Sequence, residues 1–108
     1  MSMVSLYSEK MLNIISNDSL EEKLVCMFKK YGVNGYTVVQ ARGEGSSGQV
    51  SDMSGFDANI VVKVILPESK IQVILESIER KIKKGYHLTV YITDIKVITP
   101  EKFEKTAS

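Results

Sequence analysis

The chain has 108 residues, 44% of them hydrophobic and 25% charged, with a formal net charge of +1. That length fits one domain, and a charge balance this close to zero argues against a nucleic-acid groove or an acidic tail. The single cysteine, Cys26, excludes an internal disulfide and any multi-cysteine metal site. No apolar run approaches the roughly 20 residues of a membrane span. Residues 1–10 lack the basic start and apolar core of a signal peptide, so the expected location is the cytoplasm.

Residues 1–10 show no clear period and read as an N-terminal extension, either mobile or packed along an edge. Met11 to Ser16 is short, apolar and bounded by polar residues, which predicts a buried strand. Asp18 or Ser19 is placed to cap a helix, and Ser19 with Glu22 fits a capping box. Leu20, Leu24, Met27, Phe28 and Tyr31 recur at helical spacing, and Gly32 is placed to end that helix. Cys26 within this pattern is expected to be a buried structural thiol.

Tyr36 to Ala41 predicts a second strand. Asn59 to Leu66 predicts a third, and its nearly continuous apolar character predicts contact on both faces. Pro67 opens a second helix with an inner stripe of Ile71, Ile74, Leu75, Ile78 and Ile82, stopped by Gly85. Leu88 to Thr93 predicts a fourth strand, bent at Thr93-Asp94 and extended by Ile95 to Ile98.

The order is β-α-β-β-α-β. This predicts an α+β, ferredoxin-like fold with a four-stranded antiparallel sheet and both helices on one face. Period-2 alternation turns Val39, Ala41, Val61, Ile65 and Tyr91 away from the helices. A face that apolar is rarely left in water, so sister subunits are expected to cover it. Lys63, on a buried-type strand, is expected to reach water or a carboxylate through its long stem.

Between the second and third strands, Arg42-Gly43-Glu44-Gly45-Ser46-Ser47-Gly48 opens a polar gap. A connection of about fifteen residues, 42–56, is long for a compact domain, and such loops are usually functional or disordered. Glycine allows close backbone approach to a ligand. Successive backbone N–H groups can cradle an anion, and Arg42 adds a planar donor fork. Met53 and Phe56 are apolar residues in an otherwise polar loop: they contact a partner or fold back onto the body. His87, the only histidine, reads as a turn or strand-edge residue, with a phosphate contact beside Lys84 as the sharper alternative. The lysines at the end of the second helix, Lys81, Lys83 and Lys84, suit the helix dipole.

Gly32-Val33-Asn34-Gly35-Tyr36-Thr37-Val38, followed by Arg42-Gly43-Glu44-Gly45, resembles the PII signalling superfamily. Members enter the second strand through G-x-x-G-[aromatic or Met]-T-V and leave it through [K/R]-G-x-G into a long T-loop. The similarity runs from about Met11 to Ile98, within a PII-like domain over residues 11–108 and a T-loop over about 42–56. The GYTV variant, the Ser/Gly-rich loop and Asp57-Ala58-Asn59-Ile60 look closest to PII-like proteins associated with bicarbonate transporters (the SbtB type) or with carboxysomes.

The resemblance implies a homotrimer with adenine nucleotides in clefts between subunits. Carried over by position, Gly35, Tyr36 and Thr37 line the adenine side, with Ile65 packed near the base. Arg42, Gly43, Gly45, Ser46 and Ser47 face the ribose and phosphates, and Lys84, Gly85 and Tyr86 stand at the B-loop. The chain departs from the typical PII pattern here. Its B-loop is compressed to Lys84-Gly85-Tyr86-His87, Thr99 and Glu101 occupy the two arginine positions, and Ser47 replaces the T-loop glutamine. Few counter-charges remain for a triphosphate, so the expected effector is AMP, ADP or cyclic AMP rather than ATP-magnesium with 2-oxoglutarate. The T-loop has no tyrosine for uridylylation.

The implied partner is a membrane bicarbonate transporter or another protein of inorganic-carbon metabolism, which allows peripheral association with the inner membrane. Bicarbonate is a second candidate ligand, and no covalent cofactor or nucleic acid is expected. No catalytic role is expected. Two alternatives remain: a small nucleotide- or acylphosphate-hydrolysing enzyme, and a CutA-type trimeric metal-tolerance protein. The first lacks an anion-cradle motif near the first strand and a C-terminal cysteine pair. The second lacks metal donors, with one Cys and one His.

Overall fold

The computed structural model describes residues 4–33, 35–41 and 59–98. The elements are β1 (Tyr7–Asn17), a 3-10 turn (Asp18–Leu20), α1 (Glu21–Lys30), β2 (Thr37–Ala41), β3 (Asn59–Leu66), α2 (Glu68–Lys83) and β4 (Thr89–Val97). The sheet order is β2-β3-β1-β4, and all three strand pairings are antiparallel. The predicted ferredoxin-like fold is the observed one.

The core lies between the sheet and the helices. Leu12 and Ile14 of β1 and Ile60, Val62, Val64 and Leu66 of β3 meet Leu24, Met27 and Phe28 of α1 and Ile71, Ile74 and Ile78 of α2; all are buried. Leu12, Ile14, Val62, Phe28 and Ile74 have no exposed surface. Burial of such side chains at a few kcal/mol each is the main force that fixes the helices on one face.

Both helices end as their glycines require. Gly32 has φ 77° and Gly85 φ 109°, a region from which a Cβ is sterically excluded in most residues. The start of α1 differs from the predicted capping box. Asn17 Oδ1 accepts a hydrogen bond from the Ser19 backbone N–H at 2.9 Å, which caps the 3-10 turn, while α1 itself has no side-chain cap. The first turn of chain after β1 is therefore closed by an Asx contact one residue earlier than Asp18.

Several boundaries also differ. β1 begins at Tyr7 rather than Met11, because Tyr7 to Lys10 pair with Val97 to Asp94; strand pairing supplied an order that the local pattern did not signal. β2 begins at Thr37, not Tyr36. β4 is one unbroken strand through Thr93 and Asp94, since its pairing with β1 continues across the expected bend. Ile82, assigned to the inner stripe of α2, is 43% exposed; it lies in the last turn, beyond the buried Ile78. Cys26 is exposed rather than buried, because α1 turns Leu24, Met27 and Phe28 inward and leaves position 26 on its outer side. β3 alternates between buried and half-buried positions along its length, so one chain covers one face fully and the other only in part.

Candidate functional site

The sheet face opposite the helices carries most of the candidate chemistry. Register places Val39, Val61, Ile15 and Thr89 in one cross-strand row, and Thr37, Lys63, Asn13 and Tyr91 in the next. Val39 and Tyr91 are exposed, and Val61, Ile65 and Ala41 are half-buried. These five residues do face away from the helices, as alternation requires.

A polar island interrupts this apolar face. Asn13 is 1% exposed. Its amide nitrogen lies 3.2 Å from the Met11 carbonyl, 3.5 Å from the Tyr91 carbonyl and 3.4 Å from Thr93 Oγ1. Its carbonyl oxygen accepts from Lys63 Nζ at 3.3 Å. Lys63, expected to reach water or a carboxylate, is thus held by a neutral amide. Neither residue was a predicted site residue, although an asparagine inside Met11-Leu12-Asn13-Ile14-Ile15 was a visible signal: a buried amide needs partners.

The predicted site residues fall into two groups. Gly35, Tyr36 and Thr37 lie at the entry to β2 and are exposed. Ile65 is half-buried at the same end, two residues along β3 from Lys63, the register partner of Thr37. The B-loop residues lie at the other end, where α2 closes and β4 begins beside Ile15. Lys84 is the C-cap of α2, with its backbone N–H on the Arg80, Lys81 and Ile82 turn. Tyr86 is half-buried, and Lys23 Nζ stands 5.1 Å from its ring centre, a cation–π distance. The Lys81 ammonium is held below its ordinary value, first by burial and then by the charges of Lys23 and Lys84. His87 is exposed.

The loop-bearing end coincides with the B-loop end. Ala41 and Asn59, which bound the connection, pair with each other across β2 and β3, and Asn59 pairs in turn with Asn17 at the end of β1. Arg42, Gly43, Gly45, Ser46, Ser47, Met53 and Phe56 lie outside the described residues, as do Thr99 and Glu101. At about 3.3 Å per residue, Ile65 and Asn59 are separated by roughly 20 Å along β3. Within one chain the group at Thr37 and Ile65 does not meet the group at Lys84 to Tyr86.

A separate open groove of about 430 Å³ lies where β1 and β4 run past the end of β3, lined by Lys10, Glu68, Asp94 and Lys96 among others. It contains none of the predicted site residues. Among the described residues, no group of three or more His, Cys, Asp or Glu side chains is placed to hold a metal ion.

Residues 9–102 match the nitrogen regulatory protein P-II family. The chain belongs to the P-II family. Its fold agrees closely with CPII, a nitrogen regulatory PII-like protein from Thiomonas intermedia K12 bound to ADP, AMP and bicarbonate: TM-score 0.83 and 30% identity, covering 95% of this chain and 100% of that one. A PII-like signalling protein from Thermus thermophilus is 32% identical, with TM-score 0.74 over 92% of this chain and 98% of that one. The apo form of CPII gives TM-score 0.71 at 28% identity, covering 86% of this chain and 95% of that one. No curated protein matches the sequence significantly. The P-II assignment accounts for the element order, the antiparallel sheet and the position of the connection 42–58. No described helix is long and apolar enough to cross a membrane.

Proposed function

We propose that this P-II family chain is a signalling protein that binds an adenine nucleotide (AMP, ADP or cyclic AMP) between three identical subunits. Nucleotide occupancy sets the state of the T-loop over about 42–56, and the T-loop regulates a partner. The partner class is a bicarbonate transporter or another protein of inorganic-carbon metabolism, which places the protein in the cytoplasm, peripheral to the inner membrane when docked. The chain acts as a regulator rather than an enzyme.

The observation that carries this reading is the separation of the two residue groups. Gly35, Tyr36, Thr37 and Ile65 sit at one end of the sheet. Lys84, Gly85 and Tyr86 sit at the other, the end of the sheet that also carries the base of the loop with Arg42, Gly43, Gly45, Ser46 and Ser47. A head-to-tail neighbour brings the first group of one subunit against the second group of the next. Such a heterologous contact forms a ring where its rotation closes, and three copies are the proposed closure. The half-covered apolar face, with Val39, Val61, Ile65 and Tyr91, is available for that contact. The ADP, AMP and bicarbonate bound by CPII support an adenine nucleotide as ligand here, with bicarbonate as a second ligand near Arg42 and the loop amides. A ligand shifts the loop only by its differential affinity for the loop's two states. Met53 and Phe56 are the proposed partner contacts.

Calorimetry with AMP, ADP, ATP, cyclic AMP and bicarbonate tests the reading, with size measured in parallel. The expected result is a trimer that binds at least one adenine nucleotide, weakened by about tenfold or more in Arg42→Ala, since hydrogen bonds to charged groups contribute about 1.5–3 kcal/mol. A monomer, or no nucleotide binding at millimolar ligand, would overturn it. Rapid turnover of any nucleotide would favour the hydrolase alternative instead.

A further inference from the structure

We propose that the seam between α1 and α2 is a docking groove for an acidic segment of a partner protein, with Lys23, Lys30, Arg80 and Lys81 as the groups that receive its carboxylates. The inference goes beyond the nucleotide reading and does not rest on it, because none of these four residues belongs to either residue group of that site.

Contacts between the two helices define the seam. The Lys70 ammonium donates to the Tyr31 carbonyl at 2.9 Å, and the Arg80 guanidinium donates to the Tyr31 hydroxyl at 3.4 Å. Lys30 Nζ stands 5.8 Å from the centre of the Tyr31 ring. Further along, the Tyr86 N–H donates to the Lys81 carbonyl at 3.1 Å, where Gly85 turns the chain back, and Lys23 Nζ stands 5.1 Å from the Tyr86 ring centre. The seam therefore holds two cationic clusters, each gathered around a tyrosine. Lys23 and Lys30 lie two turns apart on α1, about 10 Å along its axis.

These clusters have no counter-charge among the described residues. The ion pair recorded there is Lys10 with Asp94. The charges that act on Lys81 are those of Lys23, Lys84 and Arg80, opposed by Tyr31, and none is a carboxylate. Helix dipoles account for Lys30, Arg80 and Lys81, which stand in last turns. They do not account for Lys23, which stands in the first turn of α1, the end that favours anions. With a formal net charge of +1, the crowding of cations here is local and does not belong to a generally basic surface.

Shape selects a peptide over a flat anionic surface. Glu22 and Glu76 are exposed and lie opposite the buried stripes of their helices, so the outward crests on both sides of the seam carry carboxylates. A bilayer would meet these first, whereas a single acidic chain fits between them. Val73, 36% exposed, lies two turns before Arg80 on the same face of α2 and offers an apolar contact. The seam is on the side of the sheet opposite the proposed subunit contact, which leaves it uncovered. Charges of this kind steer encounter and are screened by salt.

The test uses a short fluorescent polyglutamate peptide, with polyglutamine as its control, and fluorescence anisotropy of the full chain at low salt. Expected is binding of polyglutamate alone, weakened by about tenfold in Lys23→Gln/Arg80→Gln and unchanged in Lys96→Gln, whose lysine lies in the groove beside β4. No binding of polyglutamate, or equal losses in the two variants, would overturn the proposal. Vesicles of phosphatidylserine and phosphatidylcholine form the second arm. Co-sedimentation that the double variant abolishes would assign the seam to a membrane and overturn the peptide reading. Carbodiimide coupling of polyglutamate to the wild type, which joins a carboxylate to an amine it touches, covers a double variant that does not fold. Mass spectrometry is expected to find the peptide on Lys23, Lys30 or Lys81. Coupling confined to other lysines ends the proposal.

Discussion

Single residues govern both the chain's turns and its charge response. Gly85 has φ 109° with open space around the position where a Cβ would stand, so Gly85→Ala meets backbone strain rather than a clash. It is expected to lower stability by about 1 kcal/mol or more, read as a lower denaturation midpoint at constant slope. The Lys10–Asp94 pair sets a pH signature. Asp94 is held below its ordinary value by the Lys10 hydrogen bond and charge, and Lys10 is held above its own by the same contact. A depressed carboxyl contributes stability above its unfolded value and loses it as pH falls through the folded one. A raised lysine contributes fully below its unfolded value and loses it as pH rises through the folded one. The pair thus supports a plateau between the carboxylate and lysine ranges. Asp94→Asn should shallow the acid limb slightly, and high salt should erase the difference, because exposed pairs contribute little and are screened. An acid limb identical in both proteins at low salt would remove the pair from the account.

At the scale of elements, the helices were the most readable parts of the sequence. Leu24, Met27 and Phe28 on α1 and Ile71, Ile74 and Ile78 on α2 carry a period that only one buried face satisfies. Phe28, with no exposed surface, should lose about 3–5 kcal/mol on Phe28→Ala, measured by chemical denaturation. A loss below about 1 kcal/mol would mean that α1 docks by other contacts. The strands were legible in the middle and illegible at the ends. Tyr7 to Lys10 have no internal alternation of their own and owe their order to β4. Ser19 and Glu22 look like a capping box, yet Asn17 closes the turn, since local motifs compete and the chain's exit from β1 decides between them. Cys26 sits among helical apolar residues, but only the helix's rotation about its axis decides whether it faces in or out.

At the scale of the whole molecule, the proposed assembly draws on the open sheet face. Val39 is 41% and Tyr91 44% exposed in the single chain, and contiguous apolar surface of this kind marks an interaction site. Val39→Glu places a charge on that face near Val61 and Ile15. It should shift the oligomer toward monomer, seen in sedimentation or native mass spectrometry, while far-ultraviolet circular dichroism stays close to wild type. An unaltered oligomer in this variant would move the subunit contact elsewhere. On the proposed intersubunit site, nucleotide affinity should fall in step with assembly, because its two proposed residue groups lie at opposite ends of one sheet.

The sequence by itself determined the element order, the inward stripes of both helices, the glycine stops and the P-II resemblance. Those depend on local periodicity and backbone sterics, which act between near neighbours in the chain. It did not determine that Asn13 would hold Lys63, that the residues around Thr37 and those around Tyr86 would be kept apart, or that Tyr7 to Lys10 would form strand. Each of these is set by which strand lies beside which, and strand neighbours here are residues far apart in the chain whose pairing only the folded sheet fixes.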